Sequence, residues 1–208
     1  VKGIYSIEKF LIARRLMYWQ VYLHKTVIGG EQMLVKILER AKELAASGKR
    51  LFATPCFAHF LNNSVTRAEF MSDPEHLKHF SALDDHDIFT SIKVWAGDDD
   101  FILSTLCRKL ISRDLYKVEI SSQAPAPDRI DVLVEKVIEK YNLDEDDASY
   151  FVFTDTIKNN AYQVGDGNIN ILKKDKTVED ITLAADNSNI EALARTVKKY
   201  VLCYVKGI

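Results

Sequence analysis

The sequence lacks the features that mark several specialised classes of protein. No apolar run approaches the roughly 18 residues that a membrane-spanning helix needs. The cysteines are odd in number and widely spaced, so the sequence indicates neither a disulfide framework nor a thiol nucleophile. Because Cys56, Cys107 and Cys203 each lie in an apolar setting, we expect reduced core cysteines in a cytoplasmic protein.

An excess of charge of one sign is also lacking. The formal net charge of −2 argues against a general nucleic-acid coat and against an anionic-membrane binder. Hydrophobic residues at 47% and charged residues at 28% describe an ordinary soluble protein. A length of 208 residues allows one or two domains with a sizeable core.

The hydrophobic pattern changes character near residues 113–120. Before that point it predicts helices. After it, short strands are predicted around two helices, the second running from Asn187 or Ser188 to about Lys198. We therefore predict an α+β protein, with an all-helical part over residues 1–115 and an α+β subdomain over residues 116–208. The β-α-β…β-β-α-β order of the subdomain suggests a small antiparallel sandwich, ferredoxin-like in outline.

The most informative stretch is a helical run over residues 8–31. At about 3.6 residues per turn, Arg14, Tyr18 and Tyr22 fall at i, i+4 and i+8 and share one face, which Lys25 extends. Cations and aromatic hydroxyls in this order suit one wall of a site for a phosphorylated, ring-bearing ligand. The alternative is an amphipathic helix whose aromatic residues are core and whose cations are solvated.

The remainder of this run makes two further predictions. Its apolar face should include Phe10, Leu11, Met17 and Val21. At Gly29-Gly30 the helix either continues, with close packing, or kinks.

Two segments carry a resemblance to a known family. The first is Arg14…Tyr18…Tyr22-Leu23-His24-Lys25. The second comprises residues 83–89 and 106–110 and ends in Arg113-Asp114-Leu115-Tyr116-Lys117. In order and spacing they resemble the HD-domain deoxynucleoside triphosphate triphosphohydrolases, the sterile-alpha-motif/HD and bacterial dGTPase-like group. The similarity covers most of residues 1–120 and is fainter beyond.

The resemblance implies metal-assisted attack of water on the α-phosphorus of a dNTP, which releases a deoxynucleoside and triphosphate. It implies that Arg14 contacts the triphosphate and that Tyr22 packs on the deoxyribose, where it disfavours a 2′-hydroxyl. Tyr18 stands where better-known relatives have a His. A tyrosine, with a pKa near ~10, is a poorer acid at neutral pH.

The family's metal ligands, a His, a His-Asp pair and a later Asp, precede the substrate-wall helix. This sequence opens at Val1-Lys2-Gly3, without an initiator Met or a targeting pattern, and has no room for them. We therefore expect the C-terminal portion of a longer enzyme, with a divalent metal in the parent protein, none bound by this chain, and no activity of this chain alone. The alternatives are a stand-alone nucleotide-binding or oligomerisation module, and an HD enzyme for another phosphoester.

The resemblance also implies an effector site. In allosteric members of the family, the residues that correspond to His24, Lys25, Arg113 and Lys117 grip an activating nucleotide between subunits, so a homo-oligomer is implied. Arg113 and Lys117 share one side at i, i+4 if the helix continues that far. The alternative is a pair of solvated cations at a helix end.

A histidine-rich segment offers a competing metal site. His76 and His79, at i, i+3, could share a helix face and bind a transition metal, with His86-Asp87 nearby. The favoured interpretation is structural, because Asp84 or Asp85 caps a helix that starts near His86 and no fourth ligand is placed. Two other segments carry no site: the acidic run over residues 144–147 is expected to be a solvated loop, and residues 165–168 a turn without phosphate-loop spacing.

Overall fold

The computed structural model describes residues 2–159, 169–184 and 196–208. Its α-helices are α1 (Lys2–Met17), α2 (Lys25–Ala46), α3 (Pro55–Asn62), α4 (Arg67–Ser72), α5 (Pro74–Ala82), α6 (Asp85–Trp95), α7 (Phe101–Ile111), α8 (Pro127–Tyr141), α9 (Glu145–Ala148) and α10 (Ile181–Ala184). Its strands are β1 (Lys117–Ser121), β2 (Val152–Asn159), β3 (Asn170–Leu172), β4 (Val178–Asp180) and β5 (Val197–Tyr204). The fold is a mixture of helix and sheet, and in these ranges no helix is both long and apolar enough to cross a bilayer.

The chain divides into two compact units. The first comprises Val1–Ile28, Val118–Asp131 and Phe153–Cys203, and the second comprises Gly29–Lys117, Val132–Val152 and Tyr204–Ile208. These units do not follow a single cut at residues 115–116, because α1 groups with strands from the second half of the sequence. The domain boundary expected there stays a prediction.

In the first unit, the structure buries only Leu11 of the four residues predicted for the apolar face. Leu11 is only 1% exposed and forms a small core with Ile181, against which four partly buried residues pack: Ile4, Ile7, Ile169 and Ile171. Phe10 (60% exposed), Met17 (48%) and Val21 (46%) do not belong to that face. The prediction of a single apolar face was wrong because α1 carries apolar residues on all sides, so periodicity could not select one.

The helical run predicted over residues 8–31 is interrupted before Gly29-Gly30, at a point that has no glycine. A π-helix over Tyr18–Tyr22 follows α1, and a break at Leu23 and His24 separates it from α2. Gly29 and Gly30 lie inside α2, which continues through them without ending. A Cβ at Gly30 would lie 3.7 Å from Leu115 Cδ1, so the small residue permits close packing there.

The second unit has a conventional helical core. Met33, Ile37 and Ala41 follow one another at i, i+4 and i+8 on α2 and are fully buried. The indole N–H of Trp95 donates to the Phe52 carbonyl at 2.9 Å, so its polar atom is paired where the ring is buried.

Side-chain caps fix several helix starts in this unit. Asp84 forms a capping box with Asp87 at the start of α6, which confirms the predicted capping role of this acidic segment. Asp100 caps α7 by accepting the Leu103 N–H at 2.8 Å.

The described strands form two sheets. One has the order β1-β5-β2, and the other is the antiparallel hairpin β3-β4, in which Asn170 pairs with Asp180 and Leu172 with Val178. The ferredoxin-like outline stays a prediction. The expected helix ending near Lys198 and the turn over residues 165–168 lie largely or wholly outside the described residues, and Lys198 itself lies on β5.

Candidate functional site

Arg14, Tyr18 and Tyr22 form a continuous ladder on the first unit, which we call the Arg14–Tyr22 ladder. The Arg14 guanidinium carbon lies 5.7 Å from the centroid of the Tyr18 ring, and the Tyr18 and Tyr22 rings are 5.1 Å apart at 46°. Arg14 is exposed and Tyr22 is 54% exposed, while Tyr18 is half-buried. The predicted sharing of a face is confirmed, and in the structure the aromatic residues are not interdigitated core. The ligand role of these residues stays a prediction.

The π-helix gives this ladder its geometry. Tyr18 C=O accepts the Leu23 N–H at 2.7 Å, an i→i+5 bond, so one more residue is accommodated in this turn than in an α-helix. Such segments occur often at functional sites. The residues Tyr-Trp-Gln-Val-Tyr carry no Gly or Pro that could have announced the change.

His24 occupies the break between the π-helix and α2. Its Nδ1 accepts the Thr26 backbone N–H at 3.2 Å, so in the neutral ring the proton sits on Nε2. The side chain itself is exposed. Neutral His24 can therefore donate a hydrogen bond from Nε2 to an anionic ligand without disturbing the start of α2.

A cavity of about 430 Å³ opens beside this break. It is lined by Trp19, Leu23, His24, Lys25, Ile120 and Lys199. Lys199 Nζ lies 4.2 Å from the centroid of the Trp19 ring, a cation–π distance. Two residues of the predicted effector site thus line one cavity with an indole and a second lysine, a composition suited to a planar anion.

Sequence reasoning missed Trp19 and Lys199. Trp19 directly follows Tyr18, but its position in the cavity depends on the π-helix turn, which the sequence does not reveal. Lys199 comes from β5, far along the chain, and only folding brings it to the indole.

Arg113 and Lys117 do not have the predicted helical arrangement. The helix α7 ends at Ile111, Arg113 adopts a left-handed φ of 58°, and Lys117 begins β1. The N–H groups of Arg113 and Asp114 donate to Leu110 and Lys109 carbonyls at 3.1 and 2.9 Å, which closes the helix in a Schellman motif. The helix therefore does not continue far enough to present Arg113 and Lys117 at i, i+4. Lys117 Nζ lies 5.6 Å from the Tyr204 ring, and both cations belong to the second unit, whereas the cavity belongs to the first.

The histidine-rich segment is not arranged as a metal site. Within the described ranges, no group of three or more His, Cys, Asp or Glu side chains could hold a metal ion. The side chain of His86 is 94% exposed and lies 3.5 Å from its own helix cap, Asp84. His76 and His79 instead meet His59, at separations described below.

The acidic run over residues 144–147 is not the solvated loop that was expected. Asp144 caps the one-turn helix α9 by accepting the Asp147 N–H at 2.8 Å. Asp147 pairs with Arg40 at 3.3 Å, and Arg40 also holds Asp100 at 2.8 Å. The Arg40 guanidinium carbon lies 5.6 Å from the Tyr150 ring.

Burial disfavours the Asp100 carboxylate, yet the hydrogen bond and charge of Arg40 hold the pKa of Asp100 below the ordinary value. This cluster ties α2, α7 and α9 together.

The cysteines are all free thiols. Burial raises the pKa of Cys107 and of Cys203 to about 12, so both stay protonated at neutral pH. Cys56 is partly buried.

Comparison with known proteins relates this geometry to a protein of named activity. This chain is similar to a phosphohydrolase. That protein, from Bacteroides thetaiotaomicron VPI-5482, has a crystal structure that matches with a TM-score of 0.86 and 47% sequence identity, over 99% of this chain and 51% of its own. The chain is also 34% identical over 115 residues to the uncharacterized protein YwfO of Bacillus subtilis (strain 168), a match that covers 55% of this chain and 24% of YwfO.

The chain thus spans about half the length of the phosphohydrolase and about a quarter of YwfO. No family model matches.

Proposed function

We propose that this chain is the substrate-wall portion of an HD-type, metal-dependent phosphohydrolase that cleaves a dNTP to deoxynucleoside and triphosphate. The observation that carries the proposal is the exposed Arg14–Tyr22 ladder, in a chain 47% identical over nearly its whole length to a phosphohydrolase. A guanidinium and two aromatic rings in sequence match the order of charge and ring in a nucleotide.

In this proposal the ladder positions the substrate and neutralises its charge. Arg14 donates hydrogen bonds to triphosphate oxygens, where a planar guanidinium is well suited to bind. Tyr22 packs on the deoxyribose, and its edge leaves no room for a 2′-hydroxyl. Tyr18, held between them, keeps both at a fixed spacing and orders the substrate for attack.

The described residues do not fit the divalent metal of such an enzyme, because they contain no cluster of ligands that could hold one. We derive no step through that metal. In the proposal its ligands belong to chain beyond the residues described.

The exposed surface of α1 supports a larger parent protein. Large apolar side chains remain exposed on several sides of this helix: Tyr5 (48%), Phe10 (60%), Ile12 (38%), Leu16 (52%) and Met17 (48%). Large apolar side chains exposed together on one element mark a surface of contact with other protein. Further protein packed against α1 would cover this surface and supply the opposite wall of the site.

A second candidate function is a nucleotide-binding or oligomerisation module without catalysis. It is favoured by the cavity of Trp19, His24, Lys25 and Lys199, which residues of this chain form by themselves. In this second candidate the cavity binds an effector nucleotide, and Arg113 and Lys117 of another chain in a homo-oligomer contact the same nucleotide.

Substitution of Arg14 tests the catalytic proposal. In the natural full-length protein we expect Arg14→Ala to lower kcat/KM for dNTP hydrolysis by about 100-fold, the loss typical of one charge-stabilising donor. Release of triphosphate would be measured with and without divalent metal. Lys9→Ala, which removes an exposed cation from the same helix, is the matched control. Equal activity of the two variants would contradict the assignment of Arg14.

A further inference from the structure

Three histidines meet where α3 and α5 pack together. We call His59, His76 and His79 the histidine stack. His59 Nε2 and His76 Nδ1 lie 2.8 Å apart, a hydrogen bond in which one ring donates and the other accepts. The His59 and His79 rings are stacked, with centroids 4.2 Å apart and an interplanar angle of 15°. All three side chains are half-buried.

These contacts require that the imidazole rings of the stack be mainly neutral. If His59 and His76 were both imidazolium ions, both nitrogens would be donors and the hydrogen bond between them would be lost. Two stacked imidazolium ions at the His59–His79 distance would repel each other. The contact between α3 and α5 therefore depends on the protonation of the stack.

The carboxylates around the stack would favour protonation of the rings, but each of them is already engaged in other contacts. Asp73 accepts the Glu75 N–H at 2.9 Å as the cap of α5, and Glu75 pairs with Lys78 at 3.2 Å. On α4, Glu69 accepts from both the N–H and the hydroxyl of Thr66 at 2.8 Å.

Two further charged groups, on elements next to α3, are engaged in hydrogen bonds. Asp87, from the neighbouring α6, accepts the Asp84 N–H at 2.9 Å. Lys42 donates to the Phe60 and Asn63 carbonyls, at 2.7 and 2.9 Å, and so places a positive charge at the end of α3. Two phenylalanine rings contact the stack, Phe60 against His59 and Phe70 against His76, and both of them meet Phe80.

We propose that the histidine stack is a proton-operated latch, which docks α5 on α3 at neutral pH and releases it on mild acidification. The pKa of His59 lies below the ordinary 6.5, because partial burial disfavours the imidazolium and because His79 and His76 add positive charge. The released form then binds more protons than the docked form near and just below pH 6.5. Docking is therefore strongest above that pH and weakens as the pH falls from it toward the folded-state pKa of His59.

Amide hydrogen exchange on the whole chain tests the latch. After correction for intrinsic rates, we expect protection in α3 and α5 to fall by at least about fivefold between about pH 7.5 and about pH 5.5, with α7 unchanged. Equal protection of α3 and α5 at the two pH values would overturn the proposal.

Two variants separate charge from packing. His79→Phe keeps a stacked ring that cannot take a proton, so it should retain most of the protection of α3 and α5 at acid pH. His86→Phe, on the exposed start of α6, should lose protection as the unchanged chain does. If His79→Phe loses as much protection as His86→Phe, the latch is disproved.

A third measurement does not depend on how the variants fold. Histidine ring signals in the unsubstituted chain, followed by NMR, should show His59 titrating below the ordinary 6.5. A titration of His59 at or above 6.5 would also overturn the latch.

Discussion

Arg113 holds a backbone conformation that glycine normally occupies. Its φ of 58° lies in the left-handed region, at the position that follows a helix cap. A side chain there costs conformational energy, so an arginine in that place suggests that the guanidinium is needed. The proposed effector site would use it.

Replacing this arginine should therefore separate stability from binding. We expect Arg113→Gly to leave the free energy of unfolding unchanged or to raise it by up to about 1 kcal/mol, because the left-handed strain is relieved. The same change should weaken binding of the effector nucleotide by the proposed homo-oligomer. Denaturant unfolding and nucleotide titration would measure the two effects. Arg67→Gly, at the start of α4 and outside the left-handed region, should be destabilising instead.

Asp100 is a second residue whose side-chain contacts allow a prediction about stability. Its carboxylate binds Arg40 at 2.8 Å and caps α7, and its side chain is 12% exposed. We expect Asp100→Asn to lower the free energy of unfolding by about 2 kcal/mol, because Arg40 loses the shortest of its ion pairs and keeps only those with Asp147 and Glu43. Asp99→Asn, at the exposed neighbouring position, should change it little.

The pH dependence of unfolding follows from the same carboxylate. Because the pKa of Asp100 is lowered, its contribution is complete above the ordinary 3.8 and disappears as the pH falls through the folded-state pKa. Asp100→Asn should therefore flatten the acid side of the stability curve. If the free energy of unfolding falls as steeply with acidification in Asp100→Asn as in Asp99→Asn, this role of Asp100 is contradicted.

Among the elements, the π-helix over Tyr18–Tyr22 matters most. It amounts to one residue inserted into a helical turn, so removal of one residue should restore an ordinary α-helix. We expect deletion of the exposed Gln20 to preserve helical circular dichroism but to bring Tyr22 to the i+3 position of Tyr18, which changes the 5.1 Å separation and the 46° angle of the two rings. Proton NMR contacts between these rings would report the change, and nucleotide affinity should fall about tenfold or more. Gln20→Ala, which keeps the chain length, should leave the contact between the two rings and the nucleotide affinity unchanged. If the deletion also leaves these two properties unchanged, the π-helix has no role in the ladder.

Local chemistry explains which elements the sequence could predict. Capping residues such as Asp84, and the spacing that puts Arg14, Tyr18 and Tyr22 on one face, depend on near neighbours and were predicted correctly. The π-helix, the break at His24 and the left-handed Arg113 were not, because their residue types also suit regular helix. The pairing of Lys199 with Trp19 depends on contacts distant in sequence, which no local pattern contains.

At the scale of the whole molecule, the two units use different means of cohesion. In the second unit, fully buried helical residues such as Met33, Ile37 and Leu106 form the core, and Arg40 joins three helices by charge. In the first unit, α1 buries Leu11 against the hairpin region but leaves much of its apolar surface exposed. The surface of the first unit therefore suits contact with further protein, in agreement with a match that covers half of a longer phosphohydrolase.

The three thiols differ in burial, so one of them can be labelled selectively. Cys107 and Cys203 are buried and protonated, so a maleimide or a nitroxide reagent at neutral pH should select Cys56 in the native protein. Cys56 lies in α3, about one turn before His59. A fluorophore or spin label attached there would sit beside the histidine stack without any engineered cysteine. The chain thus carries its own attachment point for a reporter of the contact between α3 and α5.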